Sequence, residues 1–348
     1  MALQVPVAAY EGEKYFCKFK PRIHRDAHLA DSGSWECQID LLNSQGAIHN
    51  DWVRNGRNKS YAVGCINPTV GNFMALAATA AIPDRLALVS YILEYAFVHD
   101  DIIDYAESQS ESQLREVNSQ LVEGLNDDQN ERPDQRNVKM QLQAKMAQGL
   151  LKFDKTQGNN ILKLWKEMSD IFLEIRDIQF KDLTEYLSFR EIDAGCPWTM
   201  RLVSFSMDFY LTNEEEESIS AITKAAYDSW CLVNDYFSWE KELLNNKVSG
   251  STGQITNAVF LLAKWHAVDV VRAREMVRDE IIAREELFCK LKSEYIAYGR
   301  GTDRILRWFE VLDDVTAANF AWSMTTARYD AEAEDAYPGL RAVGGGSK

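Results

Sequence analysis

Two groups of oxygen-bearing side chains stand out in this 348-residue chain. The first, Asp100-Asp101-Ile102-Ile103-Asp104, closes a long apolar run. Asp100 and Asp104 are four residues apart and share a helix face, with Asp101 beside them. Like charges so spaced repel, and the cluster costs stability unless cations neutralise it. Hard carboxylate oxygens in this array suit Mg²⁺, which keeps several waters and bridges to substrate phosphates. The second group lies in Asn234-Asp235-Tyr236-Phe237-Ser238-Trp239-Glu240-Lys241-Glu242. Asn234, Ser238 and Glu242 stand at i, i+4 and i+8, one oxygen per turn along one helix face. Helical side chains lean toward the N-terminus, so the longest of the three, Glu242, reaches back toward an ion shared with Asn234 and Ser238. A polar face of an amphipathic helix would account for the acids, but not for an amide and a hydroxyl inside a stretch rich in Val, Phe and Trp.

Composition narrows the partners. Against 53 Asp and Glu there are 38 Lys and Arg, a net charge of -15. That disfavours a nucleic-acid backbone or an anionic membrane surface as the main partner. Disorder is excluded by a hydrophobic content of 46% with 15 Phe, 14 Tyr and 9 Trp. The N-terminus lacks a basic segment followed by an apolar one, so no signal peptide is read. The longest apolar stretches, such as 86–93, fall far short of the roughly 20 residues of a membrane span. Six cysteines (Cys17, Cys37, Cys65, Cys196, Cys231 and Cys289) form no Cys-x-x-Cys pair, as expected of free thiols in a reducing cytoplasm. His24 and His28 have a ligand-like spacing but no accompanying Glu motif, and they lie among charged residues. They are not read as a metal site.

The elements that must carry these groups are helical. From Pro83 to His99 apolar residues at Leu86, Val89, Tyr91, Ile92, Leu93, Tyr95, Ala96 and Phe97 predict a helix buried on most sides. Helical pattern resumes at 137–153 and 159–192, and Asp193-Ala194-Gly195-Cys196-Pro197 breaks it. Further helices are expected at 199–211, from a cap at Thr212 or Asn213 through Leu244, and at about 254–265, 267–297 and 302–326. Residues 106–136 are polar and acidic and read as a mobile solvent-facing connection. Without alternating β pattern, internal repeat or heptads, the chain is expected to be an all-α single domain over 1–343. The Gly-rich 344–348 reads as a linker or tail.

With both clusters in hand, the chain resembles class I terpene synthases, whose Asp-rich and Asn/Ser/Glu motifs face each other across a helical bundle with a central cavity. It is most similar to the terpene cyclase half of fungal chimeric di- and sesterterpene synthases. Ala96-Phe97-Val98-His99-Asp100-Asp101-Ile102-Ile103-Asp104 and Asn234 to Glu242 match that family's two metal segments. Arg190-x-x-Asp193-x-Gly195 resembles its diphosphate-sensing arginine with linker aspartate and helix break. Asn319-x-x-Trp322-Ser323, then Arg328-Tyr329, resembles its C-terminal signature.

The resemblance implies roles. Asp100 would ligate Mg²⁺, with Asp101 and Asp104 as ligands or their supports, and Asn234, Ser238 and Glu242 would hold another ion of a set of three. Arg190, Lys241, Arg328 and Tyr329 would contact the diphosphate, and Asp193 would link Arg190 to the broken helix. Which backbone carbonyl near Ala194 and Gly195 acts stays open. A prenyl diphosphate carries roughly three negative charges, which an acidic protein meets through divalent ions. Loss of diphosphate leaves an allylic carbocation that water would quench, so a closed apolar pocket with aromatic faces is needed. Its pool of lining residues is Phe73, Phe97, Trp198, Phe205, Trp230, Phe237, Phe320 and Trp322. C20 or C25 substrates are expected, and in the resembling family a prenyltransferase domain follows such a tail. The alternatives are a chain-elongating prenyltransferase and a non-catalytic helical scaffold. The first should carry a second Asp-Asp-x-x-Asp cluster, and Asp313-Asp314 does not qualify because Ala317 occupies the third acidic position. The second would need neither metal cluster.

Overall fold

A computed structural model describes residues 2–12, 14–43, 64–107, 138–171, 178–249 and 255–329. Twelve α-helices carry these residues: α1 His28–Asn43, α2 Phe73–Ala77, α3 Pro83–Glu107, α4 Val138–Phe153, α5 Lys155–Ile171 and α6 Leu183–Asp193 come first. Then follow α7 Cys196–Met207, α8 Asn213–Ser218, α9 Ser220–Ser249, α10 Ala258–His266, α11 Val270–Ala297 and α12 Asp303–Thr325. Two short antiparallel strands, β1 Leu3–Gln4 and β2 Arg22–Ile23, precede them. The expected all-α bundle is thus the observed fold. Among the described residues no helix is long and apolar enough to cross a membrane. The polar connection expected at 106–136 lies, beyond Glu107, outside the described residues, as does the 344–348 tail.

The departures from the periodicity reading have local causes. α1 was not anticipated because its buried stripe, Ala30, Ser34, Cys37 and Gln38, has helical spacing but two polar members. The helix expected over 159–192 is two helices. Asp182 caps α6 by accepting a hydrogen bond from the Glu185 N–H at 3.0 Å, an Asp-x-x-Glu start signal inside the run. The long helix expected from Thr212 breaks at buried Ile219, after a capping box between Thr212 and Glu215. The Pro83 helix continues through the acidic cluster to Glu107.

α9 lies at the centre of the bundle, packed by α6, α7, α10, α11 and α12, while α3 packs on α1, α2, α4 and α7. These two long helices carry the two oxygen clusters. The N-terminal strand pair is clamped to α12 by Arg22, whose guanidinium meets Asp314 at 2.7 and 2.8 Å; Thr79 adds a third bond to the same carboxylate at 2.6 Å. Asp313 in turn pairs with Lys292. His24 is likewise structural: Nε2 lies 3.0 Å from the Ala81 carbonyl and Nδ1 accepts from the Asp26 N–H.

Candidate active site

Asn234 sits where α9 passes α6 and the end of α12. Its Oδ1 accepts from Arg190 Nη2 at 2.9 Å, and its Nδ2 donates to the Tyr329 hydroxyl at 2.6 Å. One turn on, Ser238 Oγ donates to Glu242 Oε1 at 2.5 Å. The i, i+4, i+8 face is therefore convergent: hydroxyl and carboxylate oxygens turn toward each other. Glu242 Oε2 is steadied by Asn257 Nδ2 at 3.0 Å, and that amide also donates to the Asp235 carbonyl at 3.0 Å. Asn257 caps α10 through its Oδ1, so the helix start that holds it is fixed by the same side chain.

Arg190, near the end of α6, spreads its fork over three partners. Nη2 reaches Asn234, Nε reaches Asp235 Oδ1 at 3.2 Å, and Nη1 pairs with Asp193. A planar guanidinium reaches the three partners from three separate nitrogens, a spread that the single nitrogen of a lysine does not offer. Burial works against its charge, but Asp235 and Asp193 outweigh burial and hold Arg190 well above the ordinary arginine value. Asp235 is fully buried, and its Oδ2 accepts from Tyr186 at 2.5 Å and from the Ala258 N–H at 2.8 Å. Burial pushes this carboxyl up to about 6, against the pull of Arg190. Tyr186, also buried, is raised by burial and then by Asp235.

Asp235, Tyr186 and Asn257 were not singled out from sequence. The signal for Asp235 was a carboxylate close to Val233, Tyr236 and Phe237 and off the face that Asn234, Ser238 and Glu242 share. Tyr186 carries no local signal, because its partner lies 49 residues away, and Asn257 is legible locally only as a helix cap, since its bond to the Asp235 carbonyl spans 22 residues.

α6 ends at Asp193 with Ala194 as its cap, and Gly195 turns the chain with φ of 67° before α7. A Cβ there would meet Met168 Sδ at 2.9 Å. Gly195→Ala is expected to lower stability by about 1–2 kcal/mol for the left-handed backbone alone, read as a drop in thermal midpoint. An unchanged midpoint would show that the break tolerates a side chain.

Past α12, Arg328 and Tyr329 are both buried. Arg328 lies over the Phe97 ring at 4.8 Å and donates to the Phe97 carbonyl at 3.4 Å. Trp322 stacks on Phe97 with centroids 5.2 Å apart and 19° between planes, and meets Tyr329 and Phe73 edge-on. Phe237 and Phe320 form a second aromatic group, edge to face at 5.4 Å. Trp230 bonds Thr316 through Nε1 and packs on Tyr227, and Trp198 packs on Trp165. Phe205 lies under Arg85 beside Phe153. Lys241 is buried on α9.

Asp100, Asp101 and Asp104 lie on the last turns of α3, but their side chains are outside the described residues. Among the described residues no three His, Cys, Asp or Glu side chains gather as a metal site. The Asn234, Ser238 and Glu242 set contains one carboxylate; the Ser238 and Glu242 oxygens meet, while the Asn234 amide oxygen, one turn back on the same face, accepts from Arg190, and the three are hard donors of a kind that fits a small divalent cation.

Residues 91–286, more than half the chain, match the family described as terpene synthase family 2, C-terminal metal binding. A cyclopiane-type diterpene synthase from Penicillium chrysogenum is 34% identical over 320 residues, covering 90% of this chain and 40% of that protein. A bifunctional sesterterpene synthase, astC, from Talaromyces wortmannii is 32% identical over 316 residues, covering 88% of this chain and 40% of that protein. The chain thus spans about two fifths of the length of these relatives. Among solved structures, aristolochene synthase from Penicillium roqueforti superposes with a TM-score of 0.69 at 18% identity, covering 90% of this chain and 99% of that one, a likeness of fold.

Proposed function

Since the chain belongs to terpene synthase family 2, we propose that it is a Mg²⁺-dependent class I terpene cyclase. It ionises a linear C20 or C25 prenyl diphosphate, releasing diphosphate, and closes the carbocation to a polycyclic cation that loses a proton to give the hydrocarbon. The observation that carries this is the meeting of Arg190, Asn234 and Tyr329 beside the convergent Ser238–Glu242 pair: anion-binding and cation-binding groups share one wall. The C20 and C25 preference is supported by relatives named as diterpene and sesterterpene synthases.

Bound Mg²⁺ ions, three with the diphosphate in place, would supply Lewis-acid stabilisation of the leaving group. Asp100, with Asp101 and Asp104, would hold them on α3, and Asn234, Ser238 and Glu242 on α9. The chain's own residues do the rest. Arg190 and Arg328 bring fixed positive charge and hydrogen-bond donors to the departing anion, joined by Lys241 and the Tyr329 hydroxyl. Asp193 and Asp235 hold the Arg190 fork at its angle before substrate arrives, so the charge needs little reorganisation. Phe97 is covered by Trp322 and Arg328, so the rings left to line a cation pocket are Trp322 and the Phe237–Phe320 pair, which bring aromatic surface and no nucleophile to quench a cation.

Residues 1–343 act as one cyclase domain, and the bifunctional relative supports a prenyltransferase linked to it in a longer protein. The setting is the cytosol, in keeping with free thiols such as Cys196 and Cys231, whose sulfurs lie 3.7 Å apart, at thiol hydrogen-bond distance. Chain elongation is disfavoured because Asp313 and Asp314 are engaged by Lys292, Arg22 and Thr79. The test is incubation with Mg²⁺ and C15, C20 and C25 prenyl diphosphates, with extracts resolved by gas chromatography and mass spectrometry. A cyclic hydrocarbon that vanishes on chelation is expected; none from any chain length sinks the proposal.

A further inference from the structure

Glu94, in the middle of α3, is a carboxyl group that the chemistry above does not use, and it is 1% exposed. Burial pushes it above the ordinary carboxylate range, with hydrogen bonds from Gln38 and the Cys65 N–H pulling the other way. A carboxyl costs more than an apolar group in such a place unless its partners require it. Gln38 of α1 donates to Oε1, and the Cys65 N–H donates to Oε2 at 2.7 Å. The segment lies so close that a Cβ on Gly64 would fall 1.9 Å from Oε1.

The other edge of the same residue faces the active site. The Cys65 carbonyl accepts from Trp322 Nε1 at 2.8 Å and from the Phe73 N–H at 3.0 Å. Two residues on, Asn67 Nδ2 donates to the Trp322 carbonyl at 3.3 Å and to Thr325 Oγ1 at 2.8 Å, tying down the end of α12. Trp322 in turn abuts Phe97 and Tyr329, and Tyr329 accepts from Asn234. α3 therefore grips Trp322 twice: directly through Phe97, and at one remove through Glu94 and Cys65.

We propose that Glu94 is a positioning residue, setting through Gly64–Asn67 the placement of Trp322 and with it Tyr329, which meets Asn234, and Arg328, which lies on Phe97. This rests on the cyclase reading of the site. The aromatic wall and the diphosphate end must keep register while a cation exists, and a shift on the order of 1 Å is enough to spoil such alignment. A loosened Trp322 lets water or early proton loss end the reaction before ring closure. The consequence is a change in product partition, which is a ratio and so does not depend on how much of a preparation is folded.

Glu94→Leu removes the acceptor for the Cys65 N–H, whereas Glu94→Gln keeps a carbonyl oxygen there and Gln38 can turn its amide to match. Glu94→Leu is expected to raise the acyclic-to-cyclic product ratio about tenfold, the loss of one buried hydrogen bond expressed at the partition step. Glu94→Gln should stay within about twofold of wild type, because the bond survives. A wild-type ratio in Glu94→Leu, or an equal shift in Glu94→Gln, overturns the proposal. Should Glu94→Leu fail to fold, Gly64→Ala decides: its Cβ pushes the segment off an intact Glu94, and an unchanged ratio is again fatal. If the wild-type protein makes no product, the cyclase reading fails separately. The relay is then read by calorimetry with Mg²⁺ and inorganic diphosphate, where Glu94→Leu should bind about tenfold more weakly and Glu94→Gln normally. Equal affinities would overturn it.

Discussion

Asn234→Ala is expected to cut turnover by about 10²- to 10³-fold, the scale of losing one electrostatic contact in a preorganised site, while helical circular dichroism stays unchanged. The side chain is half-buried and makes two hydrogen bonds, to Arg190 and to Tyr329. Its removal leaves Arg190 paired with Asp235 and Asp193, so no buried charge is orphaned. The stability cost should be about 1 kcal/mol per hydrogen bond. What disappears is an oxygen of the proposed cation site and the link between the Arg190 fork and Tyr329. Asp100→Ala should lose activity similarly, since the opposing cluster would hold the other ions. If both variants lose their fold, these residues are structural and the metal assignment falls.

Asp235→Ala is expected to do the reverse, lowering stability by about 3–5 kcal/mol, as when one partner of a buried ion pair is removed. Asp235 is fully buried and accepts from Arg190, Tyr186 and the Ala258 N–H. Truncation strands all three donors in a place where water cannot replace the acceptor. Asp235→Asn keeps one oxygen and should cost less, separating the charge from the hydrogen bonds. Urea denaturation midpoints, with the slope checked for constancy, measure both variants. An Asp235→Ala protein as stable as wild type would mean that Arg190 is held by Asp193 and Asn234 alone.

The contrast between these neighbours shows what could be read without coordinates. Asn234, Ser238 and Glu242 were legible because their spacing is a local property of one helix: one oxygen per turn, out of keeping with its apolar surroundings. The break at Gly195 was legible from Gly195 and Pro197 closing a helical run, whereas the role of Asp193 beside Arg190 came from the family resemblance. The long helices α3, α11 and α12 announced themselves by period and cap. α1 did not, because its packed stripe includes Ser34 and Gln38, which count as polar in any periodicity test.

The amino-acid order alone therefore specified an all-α chain, the residues of its two oxygen clusters and the family those motifs belong to. All of these are encoded over spans of a few helical turns. Only the folded bundle decided that Asp235 joins Asn234 and Asp193 in holding Arg190. The same is true of Asn257 reaching across from α10 to steady Glu242, and of Cys65, 257 residues before Trp322, fixing its indole. Those contacts depend on which helices meet and at what height, a collective outcome of packing and loop closure that no local spacing records.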